Sequence, residues 1–430
     1  MLASLFSCTE NNDNGDEKEK ESDKPITETF DLFGEFDDSD YLKIDLDSVL
    51  KNKNKEEIYL RGVNAGGYLV TEKRMCAASM SRGTTDHYTL TNKMVERFGA
   101  EKTLKLWKYY RDNFWTEHDF DNIKNMNMNV IRLPFSYMSV DPDFNNVRRI
   151  EGQKYNFELL DSFIEGAAKR KIYVILDLHG AYGSQNGQDH SGQVFGSADE
   201  VDFYSNEEKM NKTIDLWKAL AEHYKGVSSI AGYDLLNEPG EKGGSTTTRH
   251  REFLDNCYKA IRTIDSDRPL IMESCWDGPN LPQPSKYYWQ NVIYSFHHYS
   301  GAYNVDSNRS SWNSKFNSVN EQNFHVPLYM GEFNLYNVED SWKDTLNRLN
   351  TDKWHWTSWT YKLNLTQEGK YGGRGIYYSH VSQAVIDKDS YEEIMEKWYE
   401  IDTAYESVTK MTFESGTTLE SIMRMYCSNN

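Results

Sequence analysis

Ile230-Ala-Gly-Tyr-Asp-Leu-Leu-Asn-Glu-Pro239 is a short, β-rich apolar run that stops abruptly in Asn237, Glu238 and Pro239. A continuous apolar run of this length reads as a strand buried on both faces, as in a parallel sheet covered by helices. Seven similar runs surround it: Ile58–Val63, Val130–Pro134, Tyr173–Leu178, Leu270–Ser274, Val292–His297, Pro327–Phe333 and Trp356–Tyr361. Between them lie helical patterns over Asn156–Arg170, Asn206–Tyr224, Thr247–Ile264 and Asp340–Asn350, and Tyr391–Tyr405 reads as a closing helix. Eight strands with interleaved helices predict an α/β fold, one (β/α)8 TIM barrel.

The remainder of the 430 residues divides around that barrel. Residues 1–40 are expected to be a lipoprotein-signal remnant and a disordered acidic tether, because Thr9–Pro25 holds no apolar residue to offset the entropy of ordering. The catalytic barrel is expected over 41–408 and a C-terminal appendage over 409–430. Leu5-Phe-Ser-Cys8 looks like the close of a bacterial lipoprotein signal, although seven residues are too few for its charged and apolar regions. Membrane attachment is therefore expected only through a lipidated Cys8, which would place the chain at the cell envelope or outside the cell. The inserts Thr71–Asp121 and Gly180–Phe203 show no readable pattern.

Composition narrows the function. The net charge is −19, and no Lys/Arg run is free of acidic neighbours, which argues against a nucleic-acid partner. No stretch approaches 18 apolar residues, so no spanning helix is expected. Aromatic residues make up 14% of the chain, with 11 Trp and 29 Tyr, a supply suited to stacking on sugar faces. The five Cys include no C-x-x-C pair, and His297 and His298 are adjacent instead of three or four apart. No metal or other cofactor is expected. A G-x-S-x-G elbow is missing, and Gly62, Gly66 and Gly67 lack the dinucleotide-binding spacing. Internal repeats are not visible either.

In a barrel of this kind the site lies at the C-terminal ends of the strands. The runs here end in Asn64, Asp177 with His179, Asn237 with Glu238, His297 with Tyr299, and Glu332, while Arg132 and Trp359 lie within two more. Glu238 and Glu332 end the fourth and seventh runs and would meet across a pocket. Acetal cleavage needs such a pair, one carboxyl to protonate the leaving oxygen and one to face the anomeric carbon. Asn237 can hydrogen-bond a sugar 2-hydroxyl, and His297 and Tyr299 can poise the carboxylates.

This constellation resembles the family 5 glycoside hydrolases, retaining (β/α)8 β-glycosidases, over about residues 58 to 362. Leu235-Leu-Asn-Glu-Pro239 looks like that family's acid/base motif, and Tyr329-Met-Gly-Glu-Phe333 like its nucleophile strand. Arg132, His179, His297, Tyr299 and Trp359 complete the set. Locally the chain is most similar to the exo-β-1,3-glucanase type, through Arg61-Gly-Val-Asn-Ala-Gly-Gly-Tyr-Leu-Val-Thr-Glu72 and the loop from Asp177 to Gly192. The resemblance implies that Glu72, His179 and Asp189 hold a terminal sugar in a closed pocket, with Trp359 as its floor. Gln188 stands where that group has Phe, His190 where it has Asn, and Tyr182 where it has Pro.

The expected activity is retaining hydrolysis of a β-glucan or β-glucoside, exo-acting, with Glu332 as nucleophile and Glu238 as an acid/base of raised pKa. The two carboxyls should then lie about 5–5.5 Å apart, whereas an inverting pair lies roughly 6.5–9.5 Å apart. The alternatives are an endo-acting β-glucanase or β-mannanase with an open cleft, or a catalytically silent glycan-binding lipoprotein.

Overall fold

The computed structural model describes residues 28–45, 47–73, 75–195, 200–240, 246–275, 278–364, 374–379, 382–403 and 408–428. Cys8 and the segment Thr9–Pro25 lie outside them.

Eight parallel strands close into a barrel in sequence order. They are β1 (Arg61–Asn64), β2 (Val130–Ser136), β3 (Tyr173–Gly180), β4 (Ile230–Asp234), β5 (Leu270–Glu273), β6 (Val292–Tyr299), β7 (Leu328–Asn334) and β8 (His355–Ser358). Each expected run is a strand, and β2 to β5 are buried along their whole length. Val63 sits beside Ile131 where β1 pairs with β2, and Trp356 beside Arg61 where β8 closes the ring onto β1.

Helices cover the outside. The first insert folds into α1 (His87–Phe98), α2 (Ala100–Phe114) and α3 (Glu117–Asn125). The others are α4 (Glu158–Ala168), α5 (Glu207–His223), α6 (Thr246–Arg262), α7 (Val305–Asn320), α8 (Glu339–Thr351), α9 (Tyr391–Thr403) and α10 (Leu419–Cys427). Local chemistry sets their ends. The Asn206 side chain accepts from the Glu208 and Lys209 amides, and Glu207 and Glu208 sit in the positive first turn of α5. Met210, Leu216, Trp217 and Leu220 then form its buried face. Between β5 and β6 no α-helix occurs among the described residues.

The segment from residue 28 corrects one expectation. Residues 28–40, read from sequence as part of a disordered tether, are packed on the N-terminal end of the barrel. Phe36 packs tilted against Tyr173 with ring centroids 4.6 Å apart, and Leu42 and Leu50 join Val130, Ile175, Ile271 and Ile293 in one buried cluster. The aromatic residues scattered through an acidic stretch supply the burial that Thr9–Pro25 lacks. Gly34 makes the approach feasible: a Cβ there would fall 2.4 Å from the Ala168 carbonyl carbon. At the other end, Thr409–Lys410 pairs with Tyr377–Ser379, and Ile422 and Met423 of α10 are buried. The C-terminal segment is thus packed on the barrel through α10.

Candidate active site

Arg132 organises the floor of the site. Its guanidinium is fully buried and contacts Asp234 at 2.9 Å, Asp177 at 3.0 Å and Glu332 at 2.9 Å. It also donates to Asn64 Oδ1 at 3.1 Å and Asn237 Oδ1 at 2.8 Å. Arg132, expected among the substrate-binding residues, therefore has no surface left for a substrate. Its place in mid-strand puts it under the carboxylates, and it acts through them.

The two glutamates meet above it. One oxygen of Glu238, one nitrogen of His297 and one oxygen of Glu332 lie within 4.8 Å of one another. Glu332 Oε1 accepts from Arg132, and its Oε2 accepts from the Tyr299 hydroxyl at 2.8 Å. Burial holds the Tyr299 phenol well above its ordinary range, so it stays a donor. Glu238 receives none of Arg132's donors. Its Oε1 lies 3.0 Å from His297 Nδ1 and its Oε2 lies 3.2 Å from His190 Nε2. The Glu238 backbone is held at φ +39°, in the left-handed region, and its amide donates to Glu273 Oε1 at 2.9 Å. A non-glycine residue there costs on the order of 1 kcal/mol, which that anchored amide helps to offset.

Charge is scarce in this pocket. Burial pushes the Asp177 carboxyl up to about 7 and that of Asp234 up to about 6, although Arg132 pulls both down. Burial and the charge of Asp234 drive Glu273 well above the carboxylate range. Glu238 departs from the raised value expected of it. Burial raises it, but the charge of His190 and the hydrogen bond and charge of His297 outweigh burial and take the group down to about 2. The charge part of that pull exists only while the imidazoles carry protons; beside neutral imidazoles, burial is opposed only by the His297 hydrogen bond.

The remaining expected residues form the wall. The His179 ring stacks on Trp359 with centroids 5.4 Å apart and planes 4° from parallel, and His179 Nδ1 lies 2.6 Å from Asp177 Oδ2. Burial keeps His179 neutral, well below its ordinary range. Asn237 Nδ2 is buried without a hydrogen-bond partner among the described residues, a donor left for a ligand. The loops that follow β1 and β3 are joined to each other. The Lys73 amide donates to Asp189 Oδ2 at 3.4 Å, Tyr88 N to Gly192 O at 2.9 Å, and Val194 N to Asp86 Oδ2 at 3.2 Å. Burial, then the charges of Asp189, Glu332 and Glu238, push the Glu72 carboxyl well above the usual range. Glu72 and Asp189 thus share one electrostatic site with the two central glutamates. Glu273 and His190 are the functional-site neighbours that sequence reading left out of the site. Glu273 is the last residue of β5 and lies one position before the end of the fifth run, and His190 was visible only as a departure from the pattern of the third loop.

A β-xylosidase of Phanerodontia chrysosporium is 30% identical over 267 residues, 60% of this chain and 52% of that protein. A glucan 1,3-β-glucosidase of Candida oleophila is 30% identical over 261 residues, 56% of this chain and 58% of that protein. The chain spans little more than half the length of these relatives. The rutinosidase of Aspergillus niger superposes with a TM-score of 0.58 at 14% identity, over 79% of this chain and 98% of that one, a likeness of fold. The cellulase model, glycosyl hydrolase family 5, matches residues 90–365, and with that match over more than half its length the chain belongs to glycosyl hydrolase family 5.

Proposed function

We propose that the protein hydrolyses β-glucosidic bonds with retention, taking single sugars from the ends of β-glucans or from β-glucosides. The observation that carries the reading is the approach of Glu238 and Glu332 oxygens to within 4.8 Å. Such an approach of single oxygens is compatible with the about 5–5.5 Å between the carboxyl groups of a nucleophile and an acid/base acting on one anomeric carbon. Glu332, oriented through both oxygens by Arg132 and Tyr299, attacks the anomeric carbon while Glu238 protonates the leaving oxygen. Glu238, then a carboxylate, takes a proton from water as the water oxygen displaces Glu332. Asn237 Nδ2 offers a hydrogen bond to the 2-hydroxyl, a contact that strengthens as oxocarbenium character develops.

The exo reading is supported by the joined β1 and β3 loops and by the charges of Asp189, Glu332 and Glu238 all acting on the buried Glu72 carboxyl. The names of the two curated relatives, a β-xylosidase and a glucan 1,3-β-glucosidase, point the same way. An open, endo-acting cleft would need the side of those loops free. On the Leu5-Phe-Ser-Cys8 sequence we also place the protein at the cell envelope, anchored through Cys8.

Product analysis tests the reading on aryl β-glucoside, laminarin, barley β-glucan, carboxymethylcellulose and mannan, with Glu332→Ala as control. Glucose is expected as the sole product of the aryl glucoside and laminarin, released first as the β-anomer and lost in the variant. Mixed oligosaccharides from a polymer would replace exo with endo action, and the α-anomer first would overturn retention.

A further inference from the structure

Glu238 needs a proton to act as an acid, and the hydrogen bonds around His190 say where that proton is. Asn186 fixes the answer. Its Oδ1 accepts the Gln188 amide at 2.9 Å, and its Nδ2 donates to the Glu238 carbonyl at 3.1 Å. Reversing the amide would set oxygen against oxygen and N–H against N–H, so the orientation follows from the network. The same Nδ2 lies 2.7 Å from His190 Nε2. An amide nitrogen only donates, so Nε2 must present a lone pair, and the ring proton belongs on Nδ1. The same Nε2 is also 3.2 Å from Glu238 Oε2, so its one lone pair faces both groups and would be shared between two donors. An ionised oxygen at that distance would repel it; a carboxylic hydroxyl would be attracted to it. The other oxygen, Oε1, lies 3.0 Å from His297 Nδ1.

We propose that His190, kept neutral with its proton on Nδ1 by Asn186, is a positioning residue that holds the acid proton of the free enzyme on Glu238 Oε2. The proposal rests on the acid/base role given to Glu238 above. As the glycosidic C–O bond breaks, the proton passes from Oε2 to the departing oxygen and leaves a carboxylate. In the second half-reaction water returns a proton to Oε2 while its oxygen bonds the anomeric carbon. Other charged groups facing Glu238 are His297 on β6, Glu273 on β5, Glu332 on β7 and Glu72 after β1; His190 itself is faced by His179, with ring centroids 6.1 Å apart. Neutral His179 adds no charge to the pair, and Glu273, held protonated by its burial, adds little. Glu332, ionised as nucleophile, favours the proton staying on Glu238.

Two measurements test this. In protein labelled with 15N-histidine, the His190 resonances, assigned by comparison with His190→Phe, should show a protonated Nδ1 and a bare Nε2 at the pH of activity. A protonated Nε2 would overturn the proposal, whatever the substrate proves to be. The second measurement is the pH profile of kcat/KM, which reports the free enzyme. In His190→Ala and His190→Phe the alkaline limb should move down by about one pH unit, the size of shift one lost hydrogen-bond partner produces. Turnover of phenyl β-glucoside, which needs leaving-group protonation, should fall at least about tenfold more than that of dinitrophenyl β-glucoside, which does not. An unmoved limb, or equal losses on both substrates, would reduce His190 to a structural residue and refute the proposal. A wild-type enzyme that turns over neither glucoside would refute the proposed activity, while the 15N result would still decide the proton's place.

Discussion

Replacing Arg132 by Met keeps most of the side-chain volume and removes the guanidinium in contact with Asp177, Asp234 and Glu332. All three contacts are buried at 2.9–3.0 Å. Removing one partner from a buried ionic cluster costs about 3–5 kcal/mol, because the charges left behind cannot be solvated. At about 2 °C per kcal/mol for a large domain, Tm should fall by about 6–10 °C. The distinguishing feature is pH. In the wild type Asp177 titrates at about 7 and Asp234 at about 6, both above their ordinary 3.8. The folded state therefore binds protons that the unfolded chain gives up, and their contribution to stability declines as pH rises from about 4 to about 7. Without the guanidinium these carboxyls keep their protons to higher pH, so in the variant the decline continues above 7. Each retained proton adds about 1.4 kcal/mol of destabilisation per pH unit, or about 2 kcal/mol between pH 7 and 8.5. Urea unfolding followed by tryptophan fluorescence at pH 5.5, 7 and 8.5 measures this. A loss below about 1 kcal/mol, or one that is equal at all three pH values, would refute the cluster's electrostatic account.

Tyr299→Phe deletes the 2.8 Å hydrogen bond to Glu332 Oε2 without opening a cavity. A hydrogen bond to a charged group contributes about 1.5–3 kcal/mol, so kcat/KM on an aryl β-glucoside should fall roughly 10- to 150-fold, and a change under about twofold would remove Tyr299 from the account. Phe36→Ala tests the closing of the barrel bottom. Loss of that buried ring should cost about 3–5 kcal/mol in urea unfolding, with kcat unaffected; a cost below about 1 kcal/mol would mean that the segment rests on the barrel without supporting it.

The strands were legible because their signal is local. A run such as Leu270–Ser274 begins with three apolar residues that cover both faces and ends in polar ones, and no distant contact is needed to read it. Helices α1 to α3 were not legible as such. Their buried faces include His87, Thr91, Thr103, Asn113 and Asp119 beside the apolar residues, so the helical period is blurred, and Gly99 interrupts it. The same holds for α7, where Trp312, Phe316 and Val319 are the buried apolar residues among Ser and Asn. Within the site, residue types at strand ends identified both glutamates and most of the wall. What each residue faces was not readable: Arg132 belonged under the carboxylates, and Glu273 anchors the Glu238 amide from a neighbouring strand.

The arrangement of donors explains how one pocket can treat two glutamates differently. Arg132 faces Asp177, Asp234, Glu332 and, at 3.7 Å, Glu273, so a single guanidinium answers four buried carboxyls. Such a deficit of positive charge can only be met with protons, and the raised Asp177, Asp234 and Glu273 are where they are stored. The partition then depends on who receives fixed donors. Both oxygens of Glu332 accept from groups with no competing state, a guanidinium and a phenol held protonated, while the His297 imidazole stands farther off, 3.5 Å from its Oε2. Both oxygens of Glu238 face imidazoles, which can give or take a proton. The fixed donors leave Glu332 suited to attack. The exchangeable ones leave Glu238 able to carry a proton in the first half of the reaction and to recover it in the second, which is the asymmetry a double displacement requires.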